Sequence, residues 1–304
     1  MTALRFKPHI EKRPLLFFFL LTFLISWIGW GFQLAYALQW ISFHSVLFSI
    51  MAGLGPAIAA VILTLILSGL RGAGRLLGAF FRKGARWTWF LIALVLQPLI
   101  TLIALGLERL FSIETFDFAN FPGSLAFLTF LAAMLVANIW EELGWRGFAL
   151  PLLQRRMPPL WAGALLGLIW GAWHLPAFFI GGTPQDGWSF APFFLGCVAL
   201  SLILTPLFNT SGGSILLSAF FHFQMINPLW PDAQPYDSYL FAAVAVAVVW
   251  VNREQMLNGT AAVTEVVPVQ TRHCRSKDVG VTQGREECRV DGQGTWSFSF
   301  PPEA

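Results

Sequence analysis

The chain has 304 residues, of which 56 % are hydrophobic and only 12 % are charged. Soluble domains carry about 25 % charged residues. The deficit is concentrated in residues 14–252, which contain only nine Lys or Arg and eight Asp or Glu. This composition excludes a soluble enzyme, a disordered chain, a nucleic-acid-binding protein and a disulfide-linked scaffold. We predict an all-α, polytopic integral membrane protein with membrane lipid as its surroundings.

Three segments follow from the distribution of charge. Residues 1–13 form a short basic N-terminal segment, residues 14–252 the transmembrane bundle, and residues 253–304 a polar C-terminal tail. Hydrophobic residues do not recur at regular helical or strand spacing in the tail, so we expect it to be disordered. The basic start resembles a signal peptide, but the apolar run from Pro14 to Gly31 exceeds the usual length of about 7–15 residues. We therefore predict that this run is retained as the first span.

Eight apolar runs are long enough, or nearly so, to cross a bilayer core of about 30 Å. They lie at residues 14–36, 45–68, 88–109, 123–146, 160–180, 190–208, 212–228 and 237–252. Lys and Arg concentrate in the second and fourth connections, whereas acidic residues concentrate in the others. The positive-inside rule then predicts that both termini are cytoplasmic. We expect the membrane to be a plasma membrane. Helix-breaking glycine, asparagine and proline residues flank the run at 212–228, so the sequence leaves open whether this run crosses the membrane fully.

One run combines several charges inside the predicted membrane, where each costs at least about 2.5 kcal/mol on insertion scales. Glu142 and Arg146 are four residues apart, so they share a helix face and can form an ion pair. Glu141 points about 100° away from Glu142. It is therefore available to face a cavity as a general base. The alternative is that both glutamates reach the membrane surface at a helix end.

His174 and His222 are the two histidines that fall within predicted spans. A lone histidine on an apolar helix is usually a core residue with satisfied hydrogen bonds. Two of them together with Glu141 form a set suited to binding Zn²⁺ or to activating a water molecule. We therefore name Glu141, His174 and His222 as candidate metal ligands, although their separation in sequence does not establish that they meet.

Three glycines, Gly163, Gly167 and Gly171, form a stripe of small residues four apart on the fifth run. Such a stripe is typical of close helix–helix packing in membranes. His174 follows near the same stripe, so this packing would bring it towards a neighbouring helix.

These residues resemble the motifs of a known family. The glutamate pair with Arg146, an aromatic-x-x-x-His segment from Trp170 to His174, and a late His222 followed by Asn227 are similar to those of the CPBP family. These are CAAX-processing and bacteriocin-processing intramembrane proteases, also called the Abi family. The resemblance covers about residues 120–230 and implies a bacterial source.

The resemblance implies a role for each matching residue. Glu141 would activate the attacking water, and His174 would position that water or bind a metal. His222 and Asn227 would bind the metal or stabilise the oxyanion. Two positions depart from the family pattern, because Trp170 replaces the usual Phe and Asn227 follows His222 by five residues rather than four, where Ile226 stands.

The predicted depths of Glu141 and His174 disagree. Counted from the predicted ends of the spans, Glu141 lies about 8 Å and His174 about 21 Å from the cytoplasmic face at about 1.5 Å per residue. We expect the fifth span to begin later than residue 160, after Pro158-Pro159 and an interfacial segment.

The sequence thus favours an intramembrane endopeptidase that cleaves a peptide or protein substrate with a Glu/His-activated water and a divalent metal such as zinc. Two alternatives stay open. One is a non-catalytic membrane scaffold or immunity-type relative, which the shifted Asn227 favours. The other is a proton-coupled transporter, which would use Glu141 and Glu142 as proton carriers but does not require the two histidines.

Overall fold

The computed structural model describes residues 2–82, 87–111, 125–183, 185–226, 233–266, 288–290 and 296–298. Two compact units divide the chain at residues 268 and 269. The first unit is helical, with the following bounds: α1 Thr2–Lys12, α2 Pro14–Ala37, α3 Val46–Gly78, α4 Trp87–Phe111, α5 Leu125–Gly144, α6 Leu150–Gln154, α7 Pro159–Trp173, α8 Phe190–Thr210, α9 Ile215–Ile226, α10 Tyr236–Val251 and α11 Arg253–Asn258. Short 3₁₀ segments follow α3 at Ala79–Phe81 and α7 at Leu175–Phe179.

The predicted helical membrane bundle is confirmed. Five described segments are long and apolar enough to cross a membrane: Pro14–Ala37, Val46–Gly78, Trp87–Leu107, Pro159–Phe179 and Phe190–Thr210. Two shorter apolar stretches, Ile215–Met225 and Tyr236–Val251, accompany them. With 12 residues, α9 is about 18 Å long at about 1.5 Å per residue, which is less than the bilayer core. It is therefore too short to span fully over its described length.

The bundle is held together by a few extensive helix pairs. The largest interfaces join α2 to α3, α7 to α8, α8 to α10, α3 to α5 and α5 to α9. Many leucines on the outer helices are exposed, such as Leu20 on α2 and Leu102 on α4. Apolar side chains directed outwards are expected where the surrounding solvent is hydrocarbon. The polar side chains of the motifs lie on α5, α7 and α9, whose facing sides are buried.

The chain does not stop being helical at the predicted end of the fourth run, residue 146. A π-helical turn, Trp145–Ala149, joins α5 to α6, so the helical path continues to Gln154. Glu141 then lies 13 residues from this end, about 20 Å, while His174 lies 15 residues from the start of α7, about 22 Å. The two residues therefore reach similar depths. The expected late start of the fifth span was wrong, because α7 begins at Pro159 and the fourth helix is longer instead.

The glycine stripe on α7 packs against α8, as predicted. A Cβ atom on Gly163 would lie 2.5 Å from Thr205 Oγ1, and one on Gly167 would lie 2.7 Å from the Cα of Val198. The close approach also allows Ser201 Oγ to donate a 2.8 Å hydrogen bond to the carbonyl oxygen of Gly163. Small residues thus let the two backbones nearly touch, and buried hydroxyl groups add polar contacts.

Residues 253–266 belong to the helical unit, which differs from the predicted tail boundary at residue 253. After α11 the chain runs without regular structure to Val266, and donors from the bundle satisfy its backbone carbonyls. Gln154 Nε2 donates to the carbonyl of Val263 at 2.9 Å, and Arg155 Nε donates to that of Thr264 at 2.7 Å. We call residues 260–266 the strap. Its hydrogen bonds explain why a polar segment folds against an apolar bundle.

The second unit comprises residues 269–304. Its described elements are two short antiparallel strands, β1 Cys288–Val290 and β2 Trp296–Phe298. Arg289 faces Ser297 in this pair. The described part of the chain therefore departs from the all-α prediction only in these two short strands.

The α7–α8 contact predicts the effect of one added methyl group. Gly167→Ala places its Cβ against backbone atoms that cannot rotate away, so we expect the protein to lose about 1–3 kcal/mol of stability. Gly53→Ala on α3 is the matched control, since no atom lies within 4 Å of the position that a Cβ would take there. Thermal unfolding in detergent checks this, and equal melting temperatures for the two variants would contradict the packing described.

Candidate active site

A buried carboxylate links α5 to α9. Glu142 Oε1 accepts a 2.8 Å hydrogen bond from Arg146 Nη1, and it also lies 3.0 Å from His222 Nδ1. Glu142 and Arg146 are completely buried, and His222 is 5 % exposed. The ion pair that helical spacing predicted is therefore present inside the bundle rather than at a helix end. His222 joins it from α9, a partnership that sequence spacing did not reveal.

Glu141 is oriented separately from its neighbour. Its Oε2 accepts a 3.1 Å hydrogen bond from the indole nitrogen of Trp170 on α7. The side chain is 9 % exposed, whereas Glu142 is fully enclosed. The two adjacent carboxylates thus contact different helices, in agreement with the angle of about 100° between successive residues. Of these two carboxylates, only Glu142 forms an ion pair with an arginine in the described part of the chain.

His174 stands at the end of α7, where the chain passes into a 3₁₀ turn. Its Nδ1 lies 3.0 Å from the carbonyl oxygen of Trp170. A carbonyl oxygen only accepts, so Nδ1 carries the proton and a neutral ring presents the lone pair of Nε2. Glu142 Oε1 accepts a hydrogen bond from His222 Nδ1, so this nitrogen carries the proton in His222 as well. Both rings are therefore oriented through Nδ1, which leaves Nε2 of each to bind a water molecule or substrate.

Aromatic rings enclose the two histidines and the arginine. The ring of Trp170 lies 4.9 Å from that of His222, and the Arg146 guanidinium lies over Trp170 at 5.0 Å. Trp173 packs edge-on against His174 at 4.6 Å. Trp170 therefore contacts both the arginine and the histidine of α9, and it offers an indole donor as well as its ring face. Trp170 stands where the motif it resembles usually has Phe, and its indole N–H supplies the hydrogen bond to Glu141.

Sequence reasoning missed several residues of this cluster. Trp30 on α2 and Phe193 on α8 complete the walls around His174, at centroid distances of 6.3 and 5.0 Å. Nothing in their local sequence distinguishes them from other membrane-facing aromatics. Asn138 is fully buried one turn before Glu142, and its position four residues earlier on the same helix face was an available signal.

Several polar atoms of the cluster have no hydrogen-bond partner among the described residues. They are Glu142 Oε2, Arg146 Nε and Nη2, and Trp173 Nε1. Buried polar atoms in proteins are nearly always paired, if necessary with ordered water. The cluster therefore offers both donors and an acceptor to water or to a polar substrate group.

The predicted metal set is not assembled as a group in the described part of the chain. No three His, Cys, Asp or Glu side chains there are arranged to hold a metal ion. Glu141 is turned towards Trp170, while His222 is turned towards Glu142. Zinc binding by Glu141, His174 and His222 stays a prediction. Asn227, the fourth predicted catalytic residue, lies outside the described residues.

Comparison with known proteins supports the predicted family. Residues 123–226 match the family described as Type II CAAX prenyl endopeptidase Rce1-like. A curated relative, CAAX prenyl protease 2 of Methanococcus maripaludis, is 30 % identical over 172 residues. The match covers 52 % of this chain, and the chain spans only 64 % of that relative's length.

The buried ion pair makes a prediction about stability. Arg146→Met leaves Glu142 without its cation in an apolar interior, which should cost about 3–5 kcal/mol. Adding Glu142→Leu removes the orphaned charge, so the double variant should regain most of this loss. Thermal unfolding of both single variants and the double variant tests this, and additive losses would contradict the pairing.

Proposed function

The chain is related to CAAX-type endopeptidases through the segment that carries Glu141, His174 and His222, and we propose that it is an intramembrane endopeptidase. The observation that carries the proposal is the gathering of these residues from α5, α7 and α9 around Trp170. Each belongs to a different helix, yet all three are oriented by defined hydrogen bonds. Such preorganisation is what hydrolysis of a peptide bond requires.

In the proposed mechanism Glu141 acts as the general base. It takes a proton from a water molecule as the water oxygen attacks the peptide carbonyl carbon. The Nε2 lone pair of His174 accepts a hydrogen bond from the second hydrogen of the water and holds the water in place. When the carbon–nitrogen bond breaks, Glu141 returns the proton to the leaving amine. The carboxylic acid formed passes its remaining proton to the amine, so the products are a carboxylate and an ammonium group.

The other charged residues prepare the site. Glu142 is neutralised by Arg146 and holds the His222 ring through Nδ1. Arg146 retains two nitrogens without a described protein partner, and these can donate to the oxygen that becomes negative during attack. The Trp170 indole fixes one oxygen of Glu141. The proposed reaction uses these residues alone, and zinc dependence is a separate question for experiment.

We propose a membrane protein substrate with a prenylated cysteine near its C-terminus, because the relatives are described as CAAX prenyl proteases. The exposed apolar outer face would let a lipid-modified chain approach within the bilayer. We further propose that the arginine-rich end of the bundle faces the cytoplasm, with the site opening to that side. A bacterial plasma membrane stays a prediction.

Glu141→Gln tests the proposal directly. The amide keeps the size of the side chain but cannot take the proton, so kcat should fall about 10²–10⁴-fold. Glu254→Gln, on the exposed helix α11, is the matched control and should retain full activity. The assay follows cleavage of a farnesylated CAAX peptide and its unprenylated form by purified protein in detergent.

The same assay separates the alternatives. Equal cleavage by wild type and Glu141→Gln would refute the assigned base, and absence of cleavage in all proteins would favour the non-catalytic scaffold. Loss of activity with a chelator, restored by Zn²⁺, would establish the metal. Proton flux into liposomes that depends on Glu141 and Glu142 would favour the transporter.

A further inference from the structure

A pocket of about 760 Å³ lies at the end of α3, away from the residues of the candidate active site. Three arginines, Arg71, Arg75 and Arg82, line one side of it, and Glu265 and Val266 of the strap line the other. The arginines follow one another at intervals of four and seven residues. Arg71 and Arg75 are one turn apart on the same face of α3, and Arg82 reaches the pocket from the end of the 3₁₀ segment that follows.

The pocket carries excess positive charge. Arg82 is fixed by donating to two backbone carbonyls, those of Gly212 and Val266, at 3.4 and 3.1 Å. Arg71 and Arg75 are exposed and form no ion pair with any described residue. The carboxylate of the strap, Glu265, is already paired with Arg155 at 3.5 Å. Two guanidinium groups thus remain without a countercharge from the described protein.

Two glycines, Gly74 and Gly78, line the pocket and leave space in it because they have no side chain. No atom lies within 4 Å of the position that a Cβ would take on Gly74 or Gly78. Larger residues here would fill the space between the arginines and the strap. The pocket is therefore wide enough to admit a compact anionic group.

The location of the pocket identifies the anion. The helical path of α3 is broken at Gly69, where φ is +65°, within the apolar segment Val46–Gly78. Gly69 lies 23 residues after Val46, which is about 35 Å at about 1.5 Å per residue and exceeds the bilayer core of about 30 Å. Beyond this break Leu70 is 84 % exposed and Leu77 43 % exposed, beside the arginines. Exposed leucines next to arginines are typical of a segment at the boundary between acyl chains and head groups. A phospholipid at this depth would place its phosphate beside the guanidinium groups.

We propose that this pocket binds the head group of an anionic phospholipid, with its phosphate held by Arg71 and Arg75. Arginine binds phosphate oxygens in pairs, which suits it to this ligand. Basic pockets between membrane helices are known to select anionic lipids over zwitterionic ones. The strap closes the outer side of the pocket, so its backbone contacts with Arg82 and Arg155 contribute to the site. This inference is independent of the proposed hydrolysis.

The test uses the full chain in detergent and phosphatidylglycerol as the probe. Native mass spectrometry and thermal unfolding report binding, with phosphatidylcholine and inorganic phosphate as comparison ligands. We expect the double variant Arg71→Gln/Arg75→Gln to weaken phosphatidylglycerol binding about thirtyfold, and the lipid to stop raising its melting temperature. Arg13→Gln/Arg156→Gln removes two exposed charges outside the pocket and should bind like wild type.

Gly74→Leu provides a test that does not change the charge. It fills the floor of the pocket and should also abolish phosphatidylglycerol binding, even if the arginine variant fails to fold. Equal weakening in the control double variant would overturn the proposal, since binding would then follow total charge. Binding of inorganic phosphate that phosphatidylglycerol does not displace would assign the pocket to a soluble anion instead. Unchanged lipid binding in Gly74→Leu would place the lipid elsewhere.

Discussion

The buried carboxylate of Glu142 is the constraint on which the rest of the site depends. It is fully enclosed and accepts both Arg146 and His222 through one oxygen. A single charge in this interior would be very costly, whereas a hydrogen-bonded pair offsets much of that cost. Arg146 lies in the π-helical turn that follows α5, and His222 lies on α9. Because both must contact the charge of Glu142, this charge also constrains how these elements pack together. The geometry of the candidate site is thus tied to an electrostatic condition of the fold.

The sequence singled out the candidate residues, since charges and histidines are rare in an apolar bundle and each is costly there. The Glu142–Arg146 pair followed from spacing alone, as did the close packing of the glycine stripe on α7. The depths of Glu141 and His174 did not, because the π-helical turn at Trp145–Ala149 extends the helical path beyond Arg146. Such turns have no reliable sequence signature, and they are frequent at functional sites.

Contacts between distant helices were beyond local sequence reasoning. His222 meets Glu142 across 80 residues, and Trp170 meets Glu141 across 29. These contacts depend on helix rotation and crossing, which spacing within one helix does not determine. The strap was missed for a related reason. Its polar sequence lacks an apolar period, and it is ordered by side-chain donors from Arg82, Gln154 and Arg155 to its backbone carbonyls.

The adjacent carboxylates have different partners because helix geometry directs them to different neighbours. Glu142 meets a cation and a ring nitrogen, so its charge is used to hold other groups in place. Glu141 accepts a hydrogen bond from the indole of Trp170 and forms no ion pair with a described arginine or lysine. A base must be able to gain a proton, and an ion pair would oppose this. In the proposed mechanism the Glu142–Arg146 ion pair would leave the carboxylate of Glu141 available as the base.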